Sequence, residues 1–328
     1  MINVRNFSRR FRRGFAIFCL SLLAVVASDT IAIAQNLSPT LAPTLAQTLS
    51  PDDFEIPAVS LTLDPESDSA GAVPDGLGVS LSPVADGERG VIGGDDRTAM
   101  TSAEYPWSAI GRLERRRADG SVQGWCTASL IAPDVILTNA HCIVDKETHQ
   151  LRTQDYVFRP NMIRGESVDA TPATVLDYGR GWSRGAVDED WAIMELDEAL
   201  GFFYGELGWY DADLARSDVR EALDTRVFLA GYSQDFPDNV PGYEPGNTPG
   251  VHRNCSITNV RDDGRIIHNC DTRGGASGSP LIARLSSGEF TIVGLHAGGF
   301  RNSSSGEYSS NYAMQVNRWK EAAQEYQW

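Results

Sequence analysis

From Val91 onward, short apolar runs alternate with clusters of Gly, Pro, Asp and Asn. The runs are WSAIGRL, CTASLI, VILTNA, TVLDY, WAIMEL, RVFLAGY, CSITNV, SPLIARL and FTIVGLH. Each has strand length, and most are rich in Val, Ile, Thr or aromatic residues. Only the last segment, VNRWKEAAQEYQW, has helical composition, with Val316, Trp319, Ala323 and Tyr326 near one face. The pattern predicts an all-β body over 91–328 with a C-terminal α-helix at about 315–326. Its length suits one two-barrel unit better than two unrelated domains.

Residues 35–90 have a different texture. SPTLAPTLAQTLSP is a ragged repeat, seven of the 16 prolines fall here, and Trp, Tyr and Cys are missing. Such a segment buries too little apolar surface to offset its chain entropy, so it reads as a propeptide or flexible linker.

The first 34 residues predict a signal peptide. Arg5, Arg9, Arg10, Arg12 and Arg13 form a positive start, Gly14 to Ala27 is an apolar run, and Ala32-Ile33-Ala34 offers a small-x-small cleavage pattern. The run is short for a bilayer. Arg12-Arg13-Gly14-Phe15 leaves twin-arginine export open beside the general route. A secreted or periplasmic protein is expected, with no stable membrane span after signal removal.

Charge narrows the partners. The net charge is −16, and residues 91–328 carry 22 basic and 34 acidic residues, a net −12. An acidic body disfavours nucleic acid or an anionic membrane as main partner, because both need a basic footprint. Of five cysteines, Cys19 leaves with the signal. The remaining even number in an exported chain points to disulfides. Local pairing gives Cys126–Cys142 and Cys255–Cys270. No two sit at the close spacing of a zinc site. No metal site, phosphate loop or haem motif is visible, so no cofactor is expected.

Three segments carry chemistry: LTNAHC, ending at His141 and Cys142; DEDWAIMEL, with Asp190 opening a strand; and CDTRGGASGSP, with Ser277 among glycines. A serine hydroxyl needs a base to take its proton, and a buried carboxylate fixes the tautomer of that base. The Gly-rich flanks let the amides of Gly275 and Ser277 point at a developing oxyanion. The order His, Asp, Ser differs from that of α/β-hydrolases and subtilisins, and Ser279 breaks the G-x-S-x-G pattern. His149 reads as solvated, and His252 and His268 as structural. Asp188 and Glu189 read as a solvated turn, and Ser233 and Ser279 as structural.

Together, TNAHC with a cysteine 16 residues upstream, D-W-A-I-M-E-L and G-x-S-G-S-P resemble the chymotrypsin-like serine peptidases over about residues 91–328. The resemblance implies two antiparallel six-stranded β-barrels, at about 91–205 and 206–313, with the triad His141, Asp190 and Ser277 between them. It implies an endopeptidase acting on proteins or peptides, expected as a monomer. A catalytically inactive binding module is the alternative, and the complete triad argues against it. Val91-Ile92, Asp96-Arg97-Thr98 and S-G-S-P are similar to the bacterial glutamyl endopeptidase branch. Ala276 stands where animal trypsins carry the aspartate that pairs with a newly freed α-amino group, so activation by that ion pair is not expected. A zymogen cut among Glu88, Arg89 and Gly90, leaving Val91 first, is expected instead.

In the glutamyl branch a histidine, a threonine and the mature α-amino group hold the substrate carboxylate. By motif position these are His296, Thr272 and Val91, which implies cleavage after Glu, and less well after Asp. Asp271, six residues before Ser277, leaves a second outcome open. Trypsin-like enzymes keep their Arg/Lys-binding aspartate there, and its side chain in the pocket would favour a basic residue.

Overall fold

The structure is a computed structural model. It describes residues 90–238, 240–285, 288–301 and 308–326, together with the backbone of a short strand at 77–80. The expected signal, and all of the expected propeptide except that strand and Gly90, lie outside the described residues. No helix among the described residues is long and apolar enough to cross a membrane.

Among the described residues, sixteen strands carry the fold. They are β1 (Leu77–Ser80), β2 (Arg97–Met100), β3 (Ile110–Arg116), β4 (Val122–Ala132), β5 (Val135–Thr138), β6 (Asp155–Pro160), β7 (Thr171–Tyr178) and β8 (Ala192–Leu196), then β9 (Gly208–Trp209), β10 (Val227–Gly231), β11 (Gly250–Cys255), β12 (Ile257–Val260), β13 (Ile266–His268), β14 (Pro280–Arg284), β15 (Phe290–Arg301) and β16 (Tyr308–Met314). The helices are short: α1 (Ala140–Ile143), α2 (Gly201–Tyr204), α3 (Ser217–Ala222) and α4 (Lys320–Gln324).

Strands β3 to β8 form a closed antiparallel barrel in the order β3-β4-β5-β8-β7-β6. Apolar side chains are covered on both faces of its strands: Leu130, Ile136, Leu137, Phe158, Ile193 and Met194 are all fully buried. Burying such side chains contributes about 1.5–3 kcal/mol each before chain entropy is subtracted.

The second half closes differently. Its hydrogen-bonded path runs β1-β2-β11-β10-β14-β15-β16-β13-β12, so β11 and β12 stand far apart in the sheet. In the chain they are separated by Ser256 alone. One bent strand therefore joins both sides of the sheet, and closure runs through the covalent backbone at Ser256 rather than through a ladder. The Ser256 amide donates to Asn269 Oδ1 at 2.6 Å, and the Cys255–Cys270 disulfide fixes the same corner.

The C-terminal segment buries the expected face, with Val316, Trp319 and Ala323 in the core. It is not one continuous helix. A 3₁₀ turn over Val316–Arg318 precedes α4, and Trp319 between them has φ −130°, outside the helical range. Packing of the Trp319 ring edge-on to Trp209 accompanies this break.

Candidate active site

Pairing of β5 with β8 brings two of the three candidate residues together. Thr138 at the end of β5 lies opposite Ala192 at the start of β8. The residues just beyond that pair, His141 in α1 and Asp190 before β8, therefore meet at one barrel end. Asp190 Oδ2 lies 2.8 Å from His141 Nδ1, and Oδ1 accepts the His141 amide at 2.9 Å. Asp190 is 3% exposed. Buried Asn139 holds the Asp190 backbone, its Nδ2 donating to the Asp190 carbonyl at 2.7 Å. Both carboxylate oxygens thus face His141 while Asn139 anchors the main chain, which sets imidazole orientation and favours a proton on Nδ1.

Ser277 lies in the loop between β13 and β14, and it lines one cavity with His141. The loop is bonded to the first barrel. The Thr127 amide donates to the Ser277 carbonyl at 2.8 Å, and Thr127 Oγ1 to that of Gly275 at 3.0 Å. Gly275 and Gly278 have φ values of 94° and 86°. A Cβ on Gly278 would meet the Thr127 carbonyl at 2.1 Å, so the turn requires glycine there. The amides of Ala276, Gly278 and Ser279 donate to main-chain carbonyls. Among the described residues, those of Gly275 and Ser277 have no such acceptor, the pattern an anion-binding pair of N–H groups requires.

Both predicted disulfides are present, Cys126–Cys142 beside His141 and Cys255–Cys270 at the bent strand. Two sets of potential metal ligands lie close together: Cys126, His141 and Cys142, and Asp96, His252 and Asp271. In the first, the sulfurs are bonded to each other. In the second, the Asp271 oxygens already accept main-chain N–H groups. Neither set offers a metal a free group of donors.

Asp271 is the residue whose surroundings differ most from the trypsin-like alternative. It is 1% exposed. Its Oδ1 accepts the Ile92 amide at 2.8 Å and its Oδ2 the Asp96 amide at 2.9 Å. Its own amide donates to His252 Nδ1 at 2.9 Å. The carboxylate is a clamp for the segment 92–96 and not an open pocket floor. Next to it, the Thr272 amide donates to the Gly90 carbonyl at 3.1 Å, and Asn311 Nδ2 donates to the same carbonyl at 2.6 Å. Val91 therefore sits beside the Thr272 wall. Arg97, paired with Asp95 and Asp235, and Arg273, paired with Asp235, complete the junction.

His296, on β15, is 2% exposed, and its Nδ1 lies 3.1 Å from His268 Nε2. Desolvation, with a smaller contribution from the His141 charge, lowers its pKa to about 3. His268 is also held well below the usual histidine range, first by burial and then by His296. Both rings are neutral near pH 7, so one donates and the other accepts.

Several residues gain roles here that their sequence context did not signal. Glu189 is no solvated turn residue: its Oε2 accepts the Gly181 amide at 2.7 Å, which shapes the loop that packs the Trp182 ring 5.9 Å from His141. Asp188 pairs with Arg318 at 2.7 Å. Asn139 could have been singled out from its place beside the histidine in TNAHC. Glu189, Asp188 and Thr127 act across long sequence separations that no local motif marks.

Residues 91–321 match the Trypsin family. Glutamyl endopeptidase of Bacillus licheniformis is 26% identical over 246 residues, covering 72% of this chain and 71% of that protein. Serine protease 23 of Homo sapiens is 24% identical over 242 residues, covering 64% of this chain and 56% of its own length. Among solved structures, a Glu endopeptidase in complex with MPD superposes with a TM-score of 0.55 at 23% identity, over 71% of this chain and 99% of that one. The chain belongs to the trypsin family, and it is a serine endopeptidase of chymotrypsin-like fold.

Proposed function

We propose that this enzyme is exported and cleaves proteins or peptides after Glu, with His141, Asp190 and Ser277 as its triad. The observation that carries the triad is the double hold of Asp190 on His141, in a cavity shared with Ser277. Ser277 Oγ attacks the scissile carbonyl carbon while His141 Nε2 takes its proton. Asp190 stabilises the resulting imidazolium. The amides of Gly275 and Ser277 receive the oxyanion. Collapse of the adduct breaks the C–N bond, and the departing amine takes its proton from His141, leaving an acyl-Ser277. Water, deprotonated by His141, then attacks the ester, and Ser277 recovers its proton as the acid leaves.

The preference for Glu rests on which groups remain free to donate. Both Asp271 oxygens are turned to main-chain amides, which holds the carboxylate off the side chain of a substrate Arg or Lys. Thr272 Oγ1, the Nε2–H of neutral His296 and the α-amino group of Val91 can each donate to a carboxylate. The 3.1 Å contact of His268 Nε2 with His296 Nδ1 is compatible with this, since a proton donated by His268 would leave that of His296 on Nε2. The Val91 amine requires a cut before that residue, so the proposal includes a zymogen processed among Glu88, Arg89 and Gly90. The two disulfides and the export signal read from the sequence support an oxidising destination.

Chromogenic substrates that differ only in Glu or Arg before the scissile bond test the specificity. The Glu substrate is expected to turn over faster, Ser277→Ala to abolish turnover, and His296→Ala to reduce it for Glu. Faster turnover of Arg, abolished by Asp271→Ala and indifferent to His296→Ala, would overturn the assignment. N-terminal sequencing of secreted protein tests the processing. A fully active chain beginning at Gln35 would contradict it.

A further inference from the structure

A cavity of about 250 Å³ lies against Ser277 and His141. Its walls include Gly275, the Cys126–Cys142 bridge and Arg115, and none of its lining comes from Asp271, Thr272 or His296. With an acyl residue against Thr272 and His296 and the scissile bond at Ser277, the cavity lies within reach of the departing segment.

Arg115 is the charged group in that lining. Strand alternation puts it with Leu113 on the cavity side of β3, whereas Arg112, Glu114 and Arg116 share the other face. Glu114, the carboxylate nearest in sequence, is taken by Arg112 and Arg116. Asp145, which also acts on Arg115, pairs with Arg152 at 3.0 Å. Among the described residues no carboxylate forms an ion pair with Arg115, and its Nε is buried without a hydrogen-bond acceptor. Arg117 and Arg152 add like charge, and burial and those neighbours disfavour its cation. Gly124 lies directly opposite Arg115 across β3 and β4, with no side chain to cover the guanidinium. The result is a positive group with no ion-pair partner among the described residues, in a protein of net charge −16.

We propose that Arg115 makes this cavity a receiver for an acidic side chain within the first two residues of the departing segment. The inference rests on the reading of Ser277 and His141 as the reacting pair. A carboxylate there would supply the missing counter-charge and an acceptor for the guanidinium fork, at a half-buried position where screening is weaker than in bulk water.

The test uses the processed protein and peptides with Glu before the scissile bond and Asp, Glu, Ala, Leu or Lys at each of the two following positions. Acidic residues at one of these positions are expected to raise kcat/KM about fivefold over Ala. Arg115→Ala should remove that preference and leave hydrolysis of a Glu chromogenic substrate, which has no departing residue, within twofold of wild type. Arg115→Lys should keep part of the preference, and Arg115→Glu should shift it to Lys. An apolar preference in wild type, or an acidic preference that survives Arg115→Ala, would overturn the proposal. No cleavage of any wild-type substrate would instead contradict the triad. If another acyl residue is preferred over Glu, the same series is run with that residue, so the two readings fail separately.

Discussion

Asp271 and Ile92 lie 179 positions apart in the chain, yet the carboxylate of one accepts the amide of the other at 2.8 Å. With the Asp96 amide on the second oxygen, one buried side chain fastens the start of the folded domain to the segment that leads to Thr272. Hydrogen bonds to a charged acceptor are worth on the order of 1.5–3 kcal/mol each. Because both donors are main-chain amides, this clamp needs no free amine and is compatible with Ala276 at the position before Ser277.

Asp271→Asn is expected to destabilise the protein by roughly 1.5–3 kcal/mol, since an amide cannot accept at both positions. Turnover of an Arg substrate should stay as low as in wild type. Thermal melting and paired kinetics read the two effects. A stable variant with a changed Arg rate would mean that the side chain faces substrate.

Asp190→Asn should lower kcat by roughly 10⁴ while leaving the fold intact, because the imidazole would lose the partner that selects its tautomer. Asn139→Ala removes the bond to the Asp190 carbonyl and leaves that buried acceptor unpaired, a cost of about 1–3 kcal/mol. Its kcat should fall less than that of Asp190→Asn. Equal losses would show that Asn139 takes part in the chemistry directly.

His296 and His268 make stability depend on pH in a defined window. Their folded pKa values lie below the ordinary histidine value, to about 3 for His296, so the unfolded chain binds more protons between the two. Their contribution is complete above about pH 6.5 and is lost as pH falls from there toward the folded values, at up to about 1.4 kcal/mol per unit for one histidine. Asp263 acts lower down: its arginine partners, Arg265 first, hold its pKa at about 2, so its contribution fades only below about pH 4. Denaturant midpoints from pH 8 to 4 should decline from near pH 6.5, and His268→Asn should flatten that decline. A midpoint constant to pH 5 would contradict the neutral pair.

Replacing Cys255 and Cys270 together by Ala should cost about 3 kcal/mol, given the 15-residue separation of the pair. For a domain of this size that is roughly 6–12 °C in Tm. Peptide mapping without reduction should recover Cys126 with Cys142 and Cys255 with Cys270. A Cys126–Cys255 peptide would refute this connectivity.

The parts of the site legible in the sequence are those set by contiguous residues. TNAHC, the Asp190 strand and the glycine turn around Ser277 each carry their chemistry within a few positions. Local pairing of cysteines also sufficed, because each bridge closes a short loop. The role of Asp271 was not legible, since its donors come from a segment 175 and 179 positions away. The same holds for Glu189 and Asp188, whose acidic run looks solvated until Gly181 and Arg318 are folded against it. Alternation announced strands but not their order, so the joining of β11 to β12 through Ser256 had no one-dimensional signature.

The position of β2 has a consequence for how the protein tolerates trimming. It covers the edge of β11, with Gly250 opposite Ala99 and His252 opposite Arg97. A chain cut just before Val91 keeps that cover, and its outermost domain strand is four residues long and begins with an ion-paired arginine, a poor template for another molecule. A cut only ten residues further on would strip β2 and leave the six-residue β11 with open N–H and C=O groups. Over-digestion should therefore be read as self-association between molecules, together with loss of the Asp271 clamp that Ile92 and Asp96 provide.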